Sequence, residues 1–192
     1  MGRWEPDTRG RLLHAALELF ADQGYDATTA AQIAERAGLT KTTLFRHFAD
    51  KREVLFQGQP ALVAVAIAGV ESAPEGATAL DLLRAGLLAL CEAHVPEQQE
   101  IGRQIDRLIA ASPELKERAI FKRSAIAAAL ETTLATRLGD RRLAGVLADL
   151  GVRAYYEGFS LWSDTRRDDK LADVVADELA AYESVLPQVT GR

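Results

Sequence analysis

The stretch from Ala30 to Phe48 constrains this 192-residue chain more than any other. Two short apolar sets at helical spacing, Ile33-Ala34-Ala37 and Leu39-Leu44-Phe48, flank Gly38, a residue that tolerates the positive φ a tight turn demands. Thr28 or Thr29 can cap the first of these helices and Thr40 the second, because a threonine hydroxyl accepts from amides left open in a first helical turn. Two helices joined by a three- or four-residue turn cross steeply, and the crossing needs a small side chain, which Ala34 supplies. Ile33, Ala37, Leu39, Leu44 and Phe48 then make a miniature core. Thr40-Lys41-Thr42-Thr43 remains as a capped, polar N-terminus on the second helix, free to face a groove. The pattern predicts a helix-turn-helix. The competing reading is an ordinary helical hairpin in which Gly38 is only a C-cap.

The rest of the chain also reads as helix, since Ala, Leu, Glu and Arg recur at helical spacing and no strand-like alternation occurs. We expect an all-α fold of about nine helices: an N-terminal three-helix domain over residues 1–50 and a larger helical domain over 51–192. A first helix should start at Asp7 or Thr8, bury Leu12, Leu13, Ala16, Leu19 and Phe20, and end at Gly24. Asp50 should cap a longer helix from Lys51. Within that helix Gln57-Gly58-Gln59-Pro60 demands a kink or a break into two, because proline lacks the amide donor and clashes with the carbonyl four residues back. Further helices are expected over 77–94 and 97–110. One should then run from the Ser112-Pro113-Glu114 start signal to Leu138 and one from an Asp140 cap to about Ser163. The last, capped by Asp168 or Asp169, should end before Pro187.

Composition narrows the chemistry. A single cysteine, Cys91, and three scattered histidines offer no metal-ligand spacing, and neither GxSxG nor a glycine-rich phosphate loop occurs. We therefore expect no enzyme, no cofactor and no metal. No signal peptide is read at the start, and the longest apolar run, Ala61 to Val70, falls short of the ~20 residues of a membrane span. The expected location is the cytoplasm, without a membrane partner. Net charge is −5, which at first sight disfavours nucleic acid. Residues 1–56, however, hold eight Lys/Arg and eight Asp/Glu, so the whole excess of acid lies in the remainder. What then matters is whether cations gather on one face.

Ala21-Asp22-Gln23-Gly24-Tyr25, Thr28-Thr29, Ile33-Ala34, Ala37-Gly38-Leu39-Thr40, Leu44-Phe45, His47-Phe48 and Lys51-Arg52-Glu53 together resemble the N-terminal domain of TetR/AcrR-type transcriptional regulators. The resemblance covers about residues 8–56. It implies a homodimer that binds double-stranded operator DNA and a small-molecule effector, most simply as a repressor that releases a palindromic operator when the effector binds. Thr28 or Thr29 would hold a phosphate at a helix N-terminus. Thr40, Lys41, Thr42 and Thr43 would face the groove, with His47 and Lys51 gripping phosphates. Phe45 departs from the tyrosine common at its position and so lacks a hydroxyl for phosphate, but can pack on sugar or methyl groups. Arg46 reads equally as a phosphate contact or a solvated charge, and Arg3 would reach a neighbouring groove.

For the body, the resemblance implies dimerisation through the last two helices. Their apolar faces carry Leu143, Val146, Leu147, Leu150, Leu171, Val174, Val175, Leu179 and Tyr182, though such faces can equally cover the monomer core. Candidate effector-site residues are Cys91, His94, Arg103, Gln104, Arg107, Phe121, Tyr155, Phe159 and Trp162, an apolar set with a few polar groups. Arg103 and Arg107, one turn apart, can face an acidic ligand together, or be solvated and paired with Glu100 and Asp106. The alternative for the whole chain is a helical small-molecule-binding protein with lost or vestigial DNA recognition.

Overall fold

The structure, a computed structural model, describes residues 7–164 and 169–190. It is all-α: nine α-helices and one 3-10 turn, with no strand among the described residues. They are α1 (Thr8–Gln23), α2 (Ala30–Arg36), α3 (Lys41–His47), a 3-10 turn (Arg52–Val54), α4 (Gln59–Ser72), α5 (Ala79–Glu92), α6 (Gln98–Ala111), α7 (Pro113–Leu138), α8 (Arg141–Asp164) and α9 (Leu171–Thr190).

The caps follow the local chemistry. Asp7 takes a left-handed conformation and its carboxylate accepts from the Gly10 amide. Thr29, not Thr28, caps α2 in a reciprocal box with Gln32. Thr40 caps α3 through the Thr43 amide, and Asp140 caps α8 through the amides of Arg142 and Leu143. A second reciprocal box, Thr78 with Asp81, starts α5.

Three expectations change. Asp50 does accept from the amides of Arg52 and Glu53, but only a 3-10 turn follows, and no helix runs from Lys51 to Pro60. Pro60 has no amide to bond back to Phe56, whereas it fits the first turn of α4, so the chain breaks there and starts afresh. At the other end, α9 runs through Pro187 to Thr190. The lost donor costs only the bond to Glu183, near a terminus where carbonyls already lack helical partners. Of the two proposed caps for α9, Asp168 lies outside the described residues. Asp169 stands two residues before the helix, where its carbonyl accepts the Trp162 indole N–H at 3.1 Å.

Contacts divide the chain into two compact units: Met1–Gly58 with Gln104–Ala119, and Gln59–Arg103 with Ile120–Arg192. The first therefore extends past residue 50 through the 3-10 turn and takes in the end of α6 and the start of α7. Its buried residues include Leu12, Ala16, Phe20, Ile33, Ala34, Leu44, Val54 and Leu115. Two ion pairs link the 3-10 turn to the start of α7, Arg118–Glu53 at 2.5 Å and Arg52–Glu114 at 3.3 Å. The second unit packs Val70, Leu83, Leu90, Ile126, Leu130, Leu134, Tyr155, Trp162 and Leu179 around one core. In it α4 and α5 approach closely at Gly69 and Gly86. A methyl on Gly69 would stand 2.7 Å from the Ala85 carbonyl and 2.9 Å from the Gly86 Cα.

Candidate nucleic-acid interface

The turn between α2 and α3 is built as its residues require. Gly38 has φ 67°, and the amides of Gly38 and Leu39 close back on the Glu35 and Ala34 carbonyls at 2.9 and 2.8 Å. Ile33, Ala34, Ala37, Leu44 and Phe48 are buried between the short helices. α1 braces this pair: the Arg11 guanidinium donates to the Ala37 carbonyl, and the Arg9 guanidinium lies 5.1 Å from the Phe48 ring centre. These contacts make a rigid platform for α3.

With Leu44 and Phe48 turned inward, Lys41, Thr42, Phe45 and Arg46 are left exposed on one face of α3, while Thr43 and His47 are half-buried at its edge. At ~100° per residue the four exposed positions sweep an arc of about 140°. No carboxylate occurs from Lys41 to Phe48, so the face is cationic despite the acidity of the whole chain. The Lys41 ammonium sits 5.7 Å from the centre of the Phe45 ring, and Arg46 has no ion-pair partner among the described residues. Thr40 and Thr43 hydrogen-bond each other at 3.0 Å, which leaves Thr42 as the uncommitted hydroxyl. This is a helix equipped to enter a groove with cations, a donor–acceptor and one apolar ring.

Two residues expected on phosphates face inward. Thr28 is 1 % exposed. Its hydroxyl donates to the Gly24 carbonyl at 2.8 Å and accepts from Gln23, so it closes the loop between α1 and α2. Lys51 donates to the carbonyls of Tyr25 and Thr28 at 2.6 and 2.9 Å and lies 4.0 Å from the Tyr25 ring centre. The Tyr25 carbonyl also accepts from the Thr28 amide at 3.3 Å, so the ammonium ties together a loop that is already turned and acts as a strut. Thr29 remains exposed at the start of α2.

Of the candidate effector-site residues, Cys91, His94, Tyr155, Phe159 and Trp162 come together in the second unit. The ring centres of His94 and Phe159 are 5.0 Å apart, and those of Phe159 and Trp162 5.7 Å. The Tyr155 hydroxyl is 2.6 Å from His94 Nε2, and Gln98 Oε1 is 2.9 Å from Nδ1. A neutral imidazole protonated at Nδ1 satisfies both partners, with Tyr155 donating. Burial holds the His94 pKa below its ordinary value, and likewise keeps Tyr155 protonated and lifts the Cys91 thiol to about 12. Cys91, His94 and Trp162 line a cavity of about 340 Å³ with Pro96, Gln99 and Leu171. Cys91 and Ala172 also line a second, more apolar groove of about 270 Å³ between α5 and α9.

Arg103 pairs with Glu100 one turn earlier. Gln104 falls in the first unit, as does the exposed Arg107, and Phe121 is 60 % exposed. Gln98, which holds His94 Nδ1, is marked in the sequence only by its place four residues after His94. Gly102 is unmarked there, and a methyl on it would stand 2.6 Å from Ser163 Oγ and 2.8 Å from Phe159. Among the described residues no group of His, Cys, Asp and Glu can hold a metal ion, and no helix is long and apolar enough to cross a membrane.

The family model for bacterial regulatory proteins of the tetR family matches residues 12–57. The HTH-type transcriptional regulator TcmR of Streptomyces glaucescens is 40 % identical over 83 residues, 43 % of this chain and 37 % of that protein. The HTH-type transcriptional activator FasR of Mycolicibacterium smegmatis is 48 % identical over 48 residues, 25 % of this chain and 22 % of its own length. The chain thus spans about a third or less of these relatives. Among solved structures, FadR of Thermus thermophilus, described as a TetR-family transcriptional repressor in complex with lauroyl-CoA, superposes with a TM-score of 0.54 at 23 % identity. That match covers 93 % of this chain and 94 % of the other, and it is a likeness of fold.

Proposed function

We propose that this chain, whose residues 12–57 match the model for bacterial regulatory proteins of the tetR family, is a member of that family and a sequence-specific DNA-binding transcriptional regulator. It acts as a cytoplasmic homodimer that represses from a palindromic operator and releases it when a small molecule binds the C-terminal domain. In this reading residues 1–50 carry DNA binding, and residues 51–192 carry effector binding and dimerisation. The observation that carries it is the exposed, carboxylate-free face of α3, with Lys41, Thr42, Phe45 and Arg46 standing on the platform of α1 and α2.

Dimerisation is supported by exposed Leu143, Val146 and Leu161 on α8 and Val185 and Leu186 on α9, since α8 and α9 already pack together. Leu147, Leu171, Val175 and Leu179, by contrast, are spent on the protomer's own core. The cavities meeting at Cys91 and Ala172 support a largely apolar effector, and the lauroyl-CoA bound by the Thermus protein makes acyl compounds the first class to screen.

Footprinting on DNA flanking the chain's own gene, at two salt concentrations, tests the proposal. A protected palindrome whose occupancy falls with salt is expected, because cations on phosphates displace counterions. No protection at low salt would overturn the regulator reading and leave the second unit as a small-molecule-binding domain.

A further inference from the structure

Phe45 is the one large apolar side chain on the exposed face of α3, 44 % exposed between Lys41, Thr42 and Arg46. The miniature core of the helix pair is already closed by Leu44 and Phe48 at 0 % and 5 % exposure, so Phe45 adds nothing to it. The Lys41 ammonium lies over the ring at 5.7 Å from its centre. This cation–π contact restrains the side chain while leaving much of the ring bare. A phenyl ring has no donor for a phosphate oxygen and no partner for the polar edges of bases. In a major groove the one apolar feature the bases present is the 5-methyl group of thymine.

We infer that Phe45 reads a thymine methyl group in each operator half-site, with Lys41 steadying the ring. The inference rests on the regulator reading above and names the base that this site prefers. Thr42 flanks the ring on the same face, so its hydroxyl falls on a base pair next to that thymine, while the Arg46 guanidinium is left for the phosphates. Losing the ring relaxes specificity at one position, whereas losing Lys41 or Arg46 weakens binding more evenly across sequences.

The test pairs a change in the protein with a change in the DNA. A duplex is first selected from a random pool by the full-length chain. Each thymine of one half-site is then replaced in turn by uracil, which removes only the methyl, and Kd is measured by fluorescence anisotropy for the parent, Phe45→Ala and Phe45→Leu. At one thymine the parent should lose about fourfold in affinity, the size of one buried methyl. Phe45→Leu should keep most of that discrimination, and Phe45→Ala should bind the thymine and uracil duplexes alike. The inference is overturned if uracil is tolerated at every position, or if Phe45→Ala discriminates as well as the parent. Failure to select any duplex would overturn the regulator reading itself, and this inference with it.

Discussion

Lys51 is a cation that the sequence places on DNA and the structure places on protein. Its ammonium makes two charge-assisted hydrogen bonds to loop carbonyls and rests against an aromatic ring. Lys51→Met keeps the stem and deletes all three interactions. Hydrogen bonds to a charged group are worth ~1.5–3 kcal/mol each when shielded, but this site is half-buried, and water can reach the freed carbonyls. A net loss of about 2 kcal/mol follows, and stability from urea unfolding followed by circular dichroism measures it. Anisotropy titrations over a range of salt, run alongside, separate strut from grip. A residue on a phosphate contributes ~0.9 to the slope of log K against log salt per contact. Lys51→Met should leave the slope unchanged, with at most a parallel loss of affinity from a looser Thr29. Arg46→Ala should lower the slope and leave stability within ~0.5 kcal/mol of the parent. A Lys51→Met protein as stable as the parent, with its slope reduced by about one per protomer, would refute the assignment.

Other consequences can be checked on the same preparations. Gly69→Ala gains helix propensity of about 1 kcal/mol but drives a methyl to 2.7 Å from the Ala85 carbonyl. The net effect should be destabilising by ~1–2 kcal/mol in urea, and a neutral or stabilising result would mean that α4 and α5 have room to part. Burial holds the folded pKa of His94 below its ordinary 6.5, so the unfolded chain takes up the proton first. Stability should therefore fall as pH drops through 6.5, until the folded chain protonates as well. The melting midpoint should fall less between pH 7.5 and 5.5 in His94→Gln than in the parent, and equal falls would exclude His94 as the cause. The pair Arg118–Glu53 has side-chain exposures of only 27 % and 17 %, so a double-mutant cycle with Arg118→Ala and Glu53→Gln should give a coupling of about 1–2 kcal/mol. Arg36–Glu18, exposed at 45 % and 60 %, should give under ~1 kcal/mol, and similar couplings for the two pairs would remove the distinction.

The helices were legible because their signals are local. A threonine hydroxyl caps the helix that begins beside it, a glycine turns the chain where it stands, and an apolar period of 3.6 needs only a dozen residues to declare itself. Thr40 and Gly38 read correctly for that reason, as did Leu12, Ala16, Leu19 and Phe20, whereas Leu13 is only half-buried and Ala15 and Leu17 fill the buried face beside them. Where local rules competed, the reading slipped. Asp50 offered a cap and Pro60 a break ten residues later, and only the packed chain shows that the break reduces the first piece to a 3-10 turn. Close approaches were not legible at all. Gly69, Gly86 and Gly102 look like ordinary weak points in helices, and their necessity comes from atoms 16 to 61 residues away. The same distance hides the pairing of His94 with Tyr155.

The polar residues of the first unit show what decides between outward and inward use. Thr28 and Thr29 are adjacent and chemically identical, yet one closes a loop and the other caps a helix at the surface. Lys51 and Lys41 are equally cationic, yet only Lys51 lies within reach of loop carbonyls that need donors. Up to Gly58 the described cations sort by that rule. Arg11 and Lys51 hold carbonyls, Arg36 and Arg52 hold carboxylates, and Arg9 rests on Phe48. Lys41 and Arg46 remain to face an external anion, which makes four such cations in the proposed dimer. If all four sit on phosphates, the slope of log K against log salt is about −4, modest for a regulator that must find one site among many. In the proposed regulator, affinity at cellular salt would then come from base contacts on α3 and from the rigidity of the platform beneath it. That is why the half-buried Lys51 strut and the exposed Phe45 ring would matter more there than further surface charge.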